Sequence, residues 1–472
     1  MTLDGNLAEL SDEELDELRG KLRGKALIPG DPDFHNIREV FNAMHHHRPG
    51  LAISCFGTAD VIDAVNFARE RNLVMAVRGG GHSIAGLSSI DDGMLLDLSP
   101  MRGVIVDLKA HVAHVQGGAL WGDVDRETQA FGLATPGGVV SDTGVGGLTL
   151  GGGYGWIRRK HGLSCDNVVE AKVVCSDGVV RTASRVSHPD LFWAIRGGGG
   201  NFGVVSSLTF TLHPVGPEVA FAGVFYPAEE VAEILRGWRD YVEGAPNEVS
   251  SLVVSLTLPA SDHVPAEAHD RPCTIVGGMY VGDVTEGMEA LQPLRELAKP
   301  LVDISQPMPY RVVNSAFDFL FPRNQLHSYW KSQYLAELSD DAIDTMDRIV
   351  QNRPAPLIDL TLWHLGGEIS SVGPEDTAFA ERSAPYMASV EGNWTEPSFT
   401  AEGVEWVRDS WSQLGKFGTG GMYLNFTGLN EEDPSTGVDS ALGRNLRRLG
   451  KIKGKYDAAN LYRLNNNIKP AT

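Results

Sequence analysis

Three glycine-rich loops, at 78–82, 144–155 and 197–203, fall within about 130 residues of this 472-residue chain and constrain it more than any other feature. Glycine is needed where backbone takes a positive φ or passes close to a ligand. Successive backbone N–H groups in such loops form nests for anions, and pyrophosphate is a natural guest. Each loop leaves a strand-like segment. Together they predict one large, elongated cofactor.

A dinucleotide fold of the G-x-G-x-x-G type does not fit. It needs the glycines between a first strand and an amphipathic helix, with an acid about 20 residues on. Residues 78–82 run instead into Ser83-Ile84-Ala85-Gly86, and GGGYG at 151–155 runs into Ile157-Arg158-Arg159-Lys160. A G-x-x-x-x-G-K-[ST] loop is also missing from the sequence.

Around the loops the chain alternates short apolar strands with helices. LAISC (51–55), LVMAV (73–77), MLLDL (94–98), VIVD (104–107) and HVAHVQ (111–116) read as strands. NVVEAKVVCSDGVVRTA (167–183) reads as a hairpin turning at Asp-Gly. Ser11 with Glu14 makes a capping box ahead of Leu15, Leu18 and Leu22, predicting a helix over about 11–23. Thr58 is expected to cap the next helix. Further helices are expected at 123–131 and 190–195. The three adjacent His45, His46 and His47 point to different sides, which suits a solvated helix end better than a metal site.

Beyond residue 217 glycine thins out and elements lengthen. Strands are expected at 250–258, 273–281, 328–335 and 357–365. Helices are expected at 229–243, 284–299, 340–352, 375–390 and 402–414. The pattern is that of an antiparallel sheet covered by helices, and the fold class is α+β. Four segments follow: a helical lead-in (1–44), a cofactor domain (45–216), a substrate domain (217–425) and a returning C-terminal segment (426–472).

Forty Lys and Arg against 61 Asp and Glu give a net charge of −21. Nucleic acid and anionic membrane are poor partners for such a surface, because phosphate binding needs clustered basic residues. The four cysteines, Cys55, Cys165, Cys175 and Cys273, include no C-x-x-C pair, so a zinc or redox pair is not expected. With neither a signal-like leader nor 18 consecutive apolar residues, the expected location is the cytoplasm.

The string RGGGHSIAGLSS (78–89) resembles the pyrophosphate loop of FAD-linked oxidases of the vanillyl-alcohol-oxidase and p-cresol-methylhydroxylase superfamily. GVGGLTLGGGYGWIRRKHGLSCDN (144–167) and DLFWAIRGGGGNFGVV (190–205) continue the likeness, and YDAANLYRLNNNIKP (456–470) resembles the berberine-bridge-enzyme-like ending. SYWKSQYL (328–335), HLGGE (364–368) and TAFAER (377–382) are similar to bacterial members. The resemblance spans about 45–470 and implies a two-part FAD-binding domain of the p-cresol-methylhydroxylase type plus an α+β substrate domain.

It also implies roles. His82 corresponds to the histidine bonded to the flavin 8α-methyl carbon. A second link through cysteine would fall at Val140, so a single link is implied, with Cys165 a packed thiol. Backbone of Arg78, Gly79, Gly80, Gly81, His82 and Ser83 is expected to cradle the pyrophosphate. Gly146, Gly147, Gly151, Gly152 and Gly153 are expected to pass close to the cofactor, Gly203 and Val204 near its adenosine half, and Asn465 or Asn467 against its ring. GGMYLNFTG (420–428) resembles the Y-x-N-[YF] strand facing the flavin, which makes Tyr423 the expected base, with Asn425 on the same face. Lys331, sharing a face with Tyr329 and Gln333, is the expected source of positive charge. Glu368 and His364 are secondary candidates. Tyr329, Trp330, Trp363 and Trp394 suit an aromatic or sugar ligand.

The implied reaction is hydride transfer from a CH–OH or CH–NH group of a small molecule to flavin N5, with oxygen returning the flavin to its oxidised form and giving hydrogen peroxide. Thr143, at the position that gates oxygen, is neither usual aliphatic residue, so oxidase and dehydrogenase both stand. A flavoprotein that sequesters a redox-active metabolite is the alternative from another class. Substrate identity and oligomeric state are not legible.

Overall fold

Ser11 accepts from the Glu14 N–H while Glu14 reaches back to the Ser11 N–H, and the helix Asp12–Lys21 follows. From there a computed structural model describes residues 1–429 and 434–471. The lead-in is not purely helical. Its strand β1 (Lys25–Leu27) pairs antiparallel with β2 (Leu51–Ser54). The helix Thr58–Glu70 crosses over to β3 (Met75–Arg78), and both β2 and β3 run parallel to β4 (Met94–Asp97), giving the order β1-β2-β4-β3. Thr58 is the first residue of its helix rather than its cap. Gly57 takes the cap position, and the Thr58 hydroxyl donates to Ser206 instead. The first glycine loop leaves the C-terminal end of β3, the end of a parallel strand at which α/β sheets commonly bind ligands.

A second sheet is antiparallel. It contains β5 (Val104–Asp107), β6 (Val112–Gln116), β8 (Val168–Val174), β9 (Val180–Ser184) and β10 (Val204–Thr211) in the order β5-β6-β10-β8-β9, and a short pair joins β7 (Leu133–Ala134) to β11 (His213–Pro214). The expected hairpin at 167–183 is β8–β9. Leu96, Val174 and Val204 share one apolar cluster, so the two small sheets pack together. The third glycine loop leads into β10.

The large antiparallel sheet holds β12 (Glu218–Pro227), β13 (Val249–Thr257), β14 (Pro272–Tyr280), β15 (Val302–Asp303), β16 (Gln306–Pro309), β17 (His327–Leu335), β18 (Asp359–His364) and β19 (Tyr386–Trp394). Its order is β15-β12-β14-β13-β18-β19-β17, with β16 on β12. The helices Val231–Val242, Asp340–Gln351 and Thr400–Leu414 cover one face, where Leu360, Leu362, Ala388 and Val390 enter the core. Trp363 and Met387 point to the other face.

Further expectations fail here. Residues 375–390 are not helical: 386–394 form β19, whose residues alternate between the helices and the cavity, a period of two hidden by burial on both sides. The expected helix over 284–299 stops at Ala290 and tightens to a 3₁₀ turn at Gln292–Arg295, where Pro293 removes a donor. The three consecutive histidines lie outside any helix. His45 Nε2 meets the Ile84 carbonyl and His47 pairs with Asp91. Among the described residues no helix is long and apolar enough to cross a membrane.

Candidate active site

One elongated cavity runs from between the two small sheets to the bare face of the large one. Gly79, Gly80, Gly81, His82 and Ser83 line it, as do Gly146, Gly147, Gly203 and Val204. The loops come together because they lack side chains. A Cβ on Gly80 would sit 2.4 Å from the Gly144 Cα. At Gly147, inside the short helix Val145–Leu150, and at Gly200 a Cβ would meet nothing within 4 Å, so both present bare backbone to open space. Arg78 contributes no side chain: it is buried, pairs with Asp97 at 2.8 Å and donates to the Glu39 carbonyl.

His82 lines the cavity with its ring stacked on Phe41, centroids 3.8 Å apart. Its Nε2 is buried and has no hydrogen-bond partner. Burial, reinforced by the nearby Arg323 charge, pushes the imidazole down to about 3, so the ring is neutral across the physiological range.

Tyr423 and Asn425 come together, but not on a strand. Residues 423–426 form a turn closed by the Phe426 N–H on the Tyr423 carbonyl, alongside β17, which this segment meets at the Lys331–Thr427 bridge. The Tyr423 oxygen accepts from the Gly153 N–H at 3.1 Å and the Asn425 amide at 2.8 Å. Burial pushes the phenol well up, and the two donors oppose it. Gly151, Gly152 and Gly153 do not line the cavity. Gly151 lets Asn425 approach, since a Cβ there would lie 2.2 Å from it, whereas a Cβ would lie 2.7 Å from Phe379 at Gly152 and 2.2 Å from Ser164 at Gly153.

Lys331 is not brought to the site. It shares a face with Tyr329 and Gln333 as expected, but that face is the helix-covered one, and its ammonium lies 4.4 Å from the Trp411 ring centroid. The two donors on Tyr423 stand where a cation was expected. Thr143 and Val140 line the cavity, whereas Cys165 does not, and burial pushes its thiol up. Asn465 lines the cavity with its Oδ1 unpartnered, whereas Asn467 does not reach it; the tail bends there, and Asn466 takes the second position. His364 is buried under the helices against Trp238, and Glu368 is exposed. Of the four aromatics, Trp330 and Trp363 line the cavity, while Tyr329 and Trp394 pack toward the helices.

Sequence reasoning missed Asp359 and Glu391, which line the cavity from neighbouring strands. Their signal is an acid inside each of two otherwise buried strands. It missed Phe41 and Ser88 too. Ser88 sits within the quoted 78–89 string and lines the cavity with an unpartnered hydroxyl.

An FAD binding domain family model matches residues 49–184, and a berberine and berberine-like model matches 423–469. The FAD-linked oxidoreductase YgaK of Bacillus subtilis is 30% identical over 461 residues, covering 95% of this chain and 98% of the relative. The chain belongs to the berberine-bridge-enzyme-like FAD-linked oxidoreductases. The enzyme is also 36% identical to (R)-6-hydroxynicotine oxidase of Paenarthrobacter nicotinovorans over 282 residues, 60% of each chain. Crystalline 6-hydroxy-D-nicotine oxidase of Arthrobacter nicotinovorans superposes with a TM-score of 0.84 at 25% identity, covering 95% and 98% of the two chains. Chitooligosaccharide oxidase shares the fold, with a TM-score of 0.84 at 23% identity, covering 97% of this chain and all of that one.

The residues of the enzyme fit FAD. The bare glycine backbone suits a pyrophosphate, the unpartnered Ser88 hydroxyl is a free donor in the same cavity, and the cavity continues past His82 to Tyr423.

Proposed function

We propose that the enzyme oxidises a CH–OH or CH–NH group of a small organic substrate, with Tyr423 as general base. Tyr423 carries this reading: it lines the cavity, and its oxygen accepts from Gly153 and Asn425. FAD, when bound, would supply the two-electron acceptor for the substrate hydride, with oxygen as the proposed final acceptor and hydrogen peroxide as its product. The adjacent O–H or N–H loses its proton to the Tyr423 phenolate, leaving a C=O or C=N product. A phenol that burial holds above its ordinary ~10 is a base only after it ionises. The Gly153 N–H and the Asn425 amide favour that ionised form, so Asn425 is a positioning residue. His82, neutral and with Nε2 open, is the proposed single covalent anchor, and Val140 offers no second one. Relatives named as oxidases of a hydroxylated nicotine and of chitooligosaccharides support a small substrate with such a group.

The test is anaerobic flavin reduction by a substrate found in a peroxide-coupled screen of alcohols, sugars and cyclic amines. Tyr423→Phe is expected to slow reduction by about 10²–10⁴-fold with flavin content unchanged. Asn425→Ala is expected to slow it less and to recover as pH rises. A Tyr423→Phe enzyme that reduces its flavin at the parent rate ends the assignment. Flavin that stays reduced in air turns the reading to dehydrogenase.

A further inference from the structure

The wall of the large sheet facing the cavity is laid out in rows. Tyr334, Met387 and Trp363 form one row across β17, β19 and β18; Ser332, Ser389 and Thr361 form the next; Trp330, Glu391 and Asp359 form the third. Tyr154 packs on the first row, its hydroxyl 2.9 Å from that of Tyr334 and its ring 4.8 Å from Tyr423. The third row lies four residues further along the strands, roughly 13 Å away at the usual rise.

That third row places two carboxyl groups side by side, with Asp359 only 3% and Glu391 5% exposed. One oxygen of each is held within its own strand: Thr361 donates to Asp359 at 2.8 Å and Ser389 to Glu391 at 2.6 Å. The second oxygen of each meets no donor among the described residues, and both side chains open on the cavity. Neither has an ion-pair partner among those residues. Arg353, whose charge only weakly opposes the shift of Asp359, directs its guanidinium to the carbonyls of Val350, Ser255 and Ile358. Burial pushes both carboxyls up, and the Glu391 charge adds to the shift of Asp359. Without a cation beside it the pair therefore holds protons, which a guest ammonium is placed to displace. The Trp330 indole beside Glu391 adds an aromatic face suited to a cation.

We infer that Asp359 and Glu391 are the specificity site for a protonated amine on the substrate, set apart from the carbon that is oxidised at Tyr423. This rests on the reading of the cavity as the substrate cavity. The substrate class is then a cationic amine carrying a second, oxidisable CH–OH or CH–NH group further along the molecule. A neutral polyol offers hydrogen bonds to the same oxygens but no positive charge to favour their ionised form.

The test measures binding to the flavin-loaded enzyme near pH 7, by perturbation of the flavin spectrum and tryptophan fluorescence. The probes are phenylpropylamine, its neutral isostere phenylpropanol, and cellobiose. The amine is expected to bind at least about tenfold more tightly than the alcohol, and Asp359→Asn/Glu391→Gln to bring the two within about twofold. Alcohol or cellobiose binding as tightly as the amine to the parent enzyme overturns the inference, and needs no variant that folds. So does an amine preference that survives the double substitution. Tyr423→Phe is expected to bind phenylpropylamine like the parent, so failure of the base assignment and failure of the amine site are read separately.

Discussion

At Gly80 the demand for glycine comes from backbone: a Cβ there would press on the Gly144 Cα at 2.4 Å, and neither loop has a flexible end to yield. Gly80→Ala is therefore expected to give protein with a pushed-apart cofactor loop and little bound flavin, measured as the visible-to-ultraviolet absorbance ratio after purification. Gly20→Ala, exposed in the helix Asp12–Lys21 where a Cβ also meets no protein atom, is the control for folding. His82→Ala is expected to hold flavin that acid precipitation releases, whereas the parent pellet stays yellow; a yellow His82→Ala pellet would place the link elsewhere. These residues were legible because a glycine loop and its histidine carry their chemistry locally. Lys331 was not. Strand alternation correctly grouped it with Tyr329 and Gln333, but a period of two tells which residues share a face and not which face meets the cavity. That choice is made by Trp411 and the helix Thr400–Leu414, far along the chain.

Among the elements, the last helix, Leu446–Tyr456, shows how the C-terminal segment returns to the cofactor cleft. Lys453 on it is fully buried and donates to the Asn201 carbonyl at 2.7 Å, to the Tyr462 carbonyl at 3.2 Å and to Asp457 at 2.5 Å. One ammonium thus joins the third glycine loop to the tail whose Tyr462, Asn465 and Asn466 line the cavity. Lys453→Met leaves Asp457 buried without its cation, and is expected to destabilise by about 3–5 kcal/mol in denaturant titration. Cleavage of the tail by protease should rise in parallel, and Lys453→Met/Asp457→Asn should recover part of the loss. The ending motif was visible in the sequence, but its anchor was not, because a lysine four residues before an aspartate reads equally well as a surface pair. The strand β19 was missed for a related reason: a segment buried on both faces has no polar side to reveal its period, so Glu391 was lost along with the strand that carries it.

Across the whole molecule, three polar contacts tie the cofactor lobe to the segment 310–324 that edges the cavity. Asn314 donates to Asp125 at 2.5 Å, the Ser141 hydroxyl to Asp318 at 2.5 Å, and Arg323 pairs with Asp142 at 2.9 Å. Asp125 is buried, and desolvation, only partly opposed by the Asn314 bond, pushes its carboxyl up to about 7. An unfolded aspartate titrates near ~3.9, so the native state binds the extra proton. Its contribution to stability is complete below that lower value and is lost as pH rises through about 7. The full span is worth on the order of 4 kcal/mol. Asp125→Asn removes the titration and keeps an amide able to meet Asn314. The parent is therefore expected to lose stability between pH 5 and pH 8 more steeply than Asp125→Asn, with the two melting curves converging at the acid end. Parallel pH dependences would mean that Asp125 stays ionised at this joint and draws a compensating charge across it.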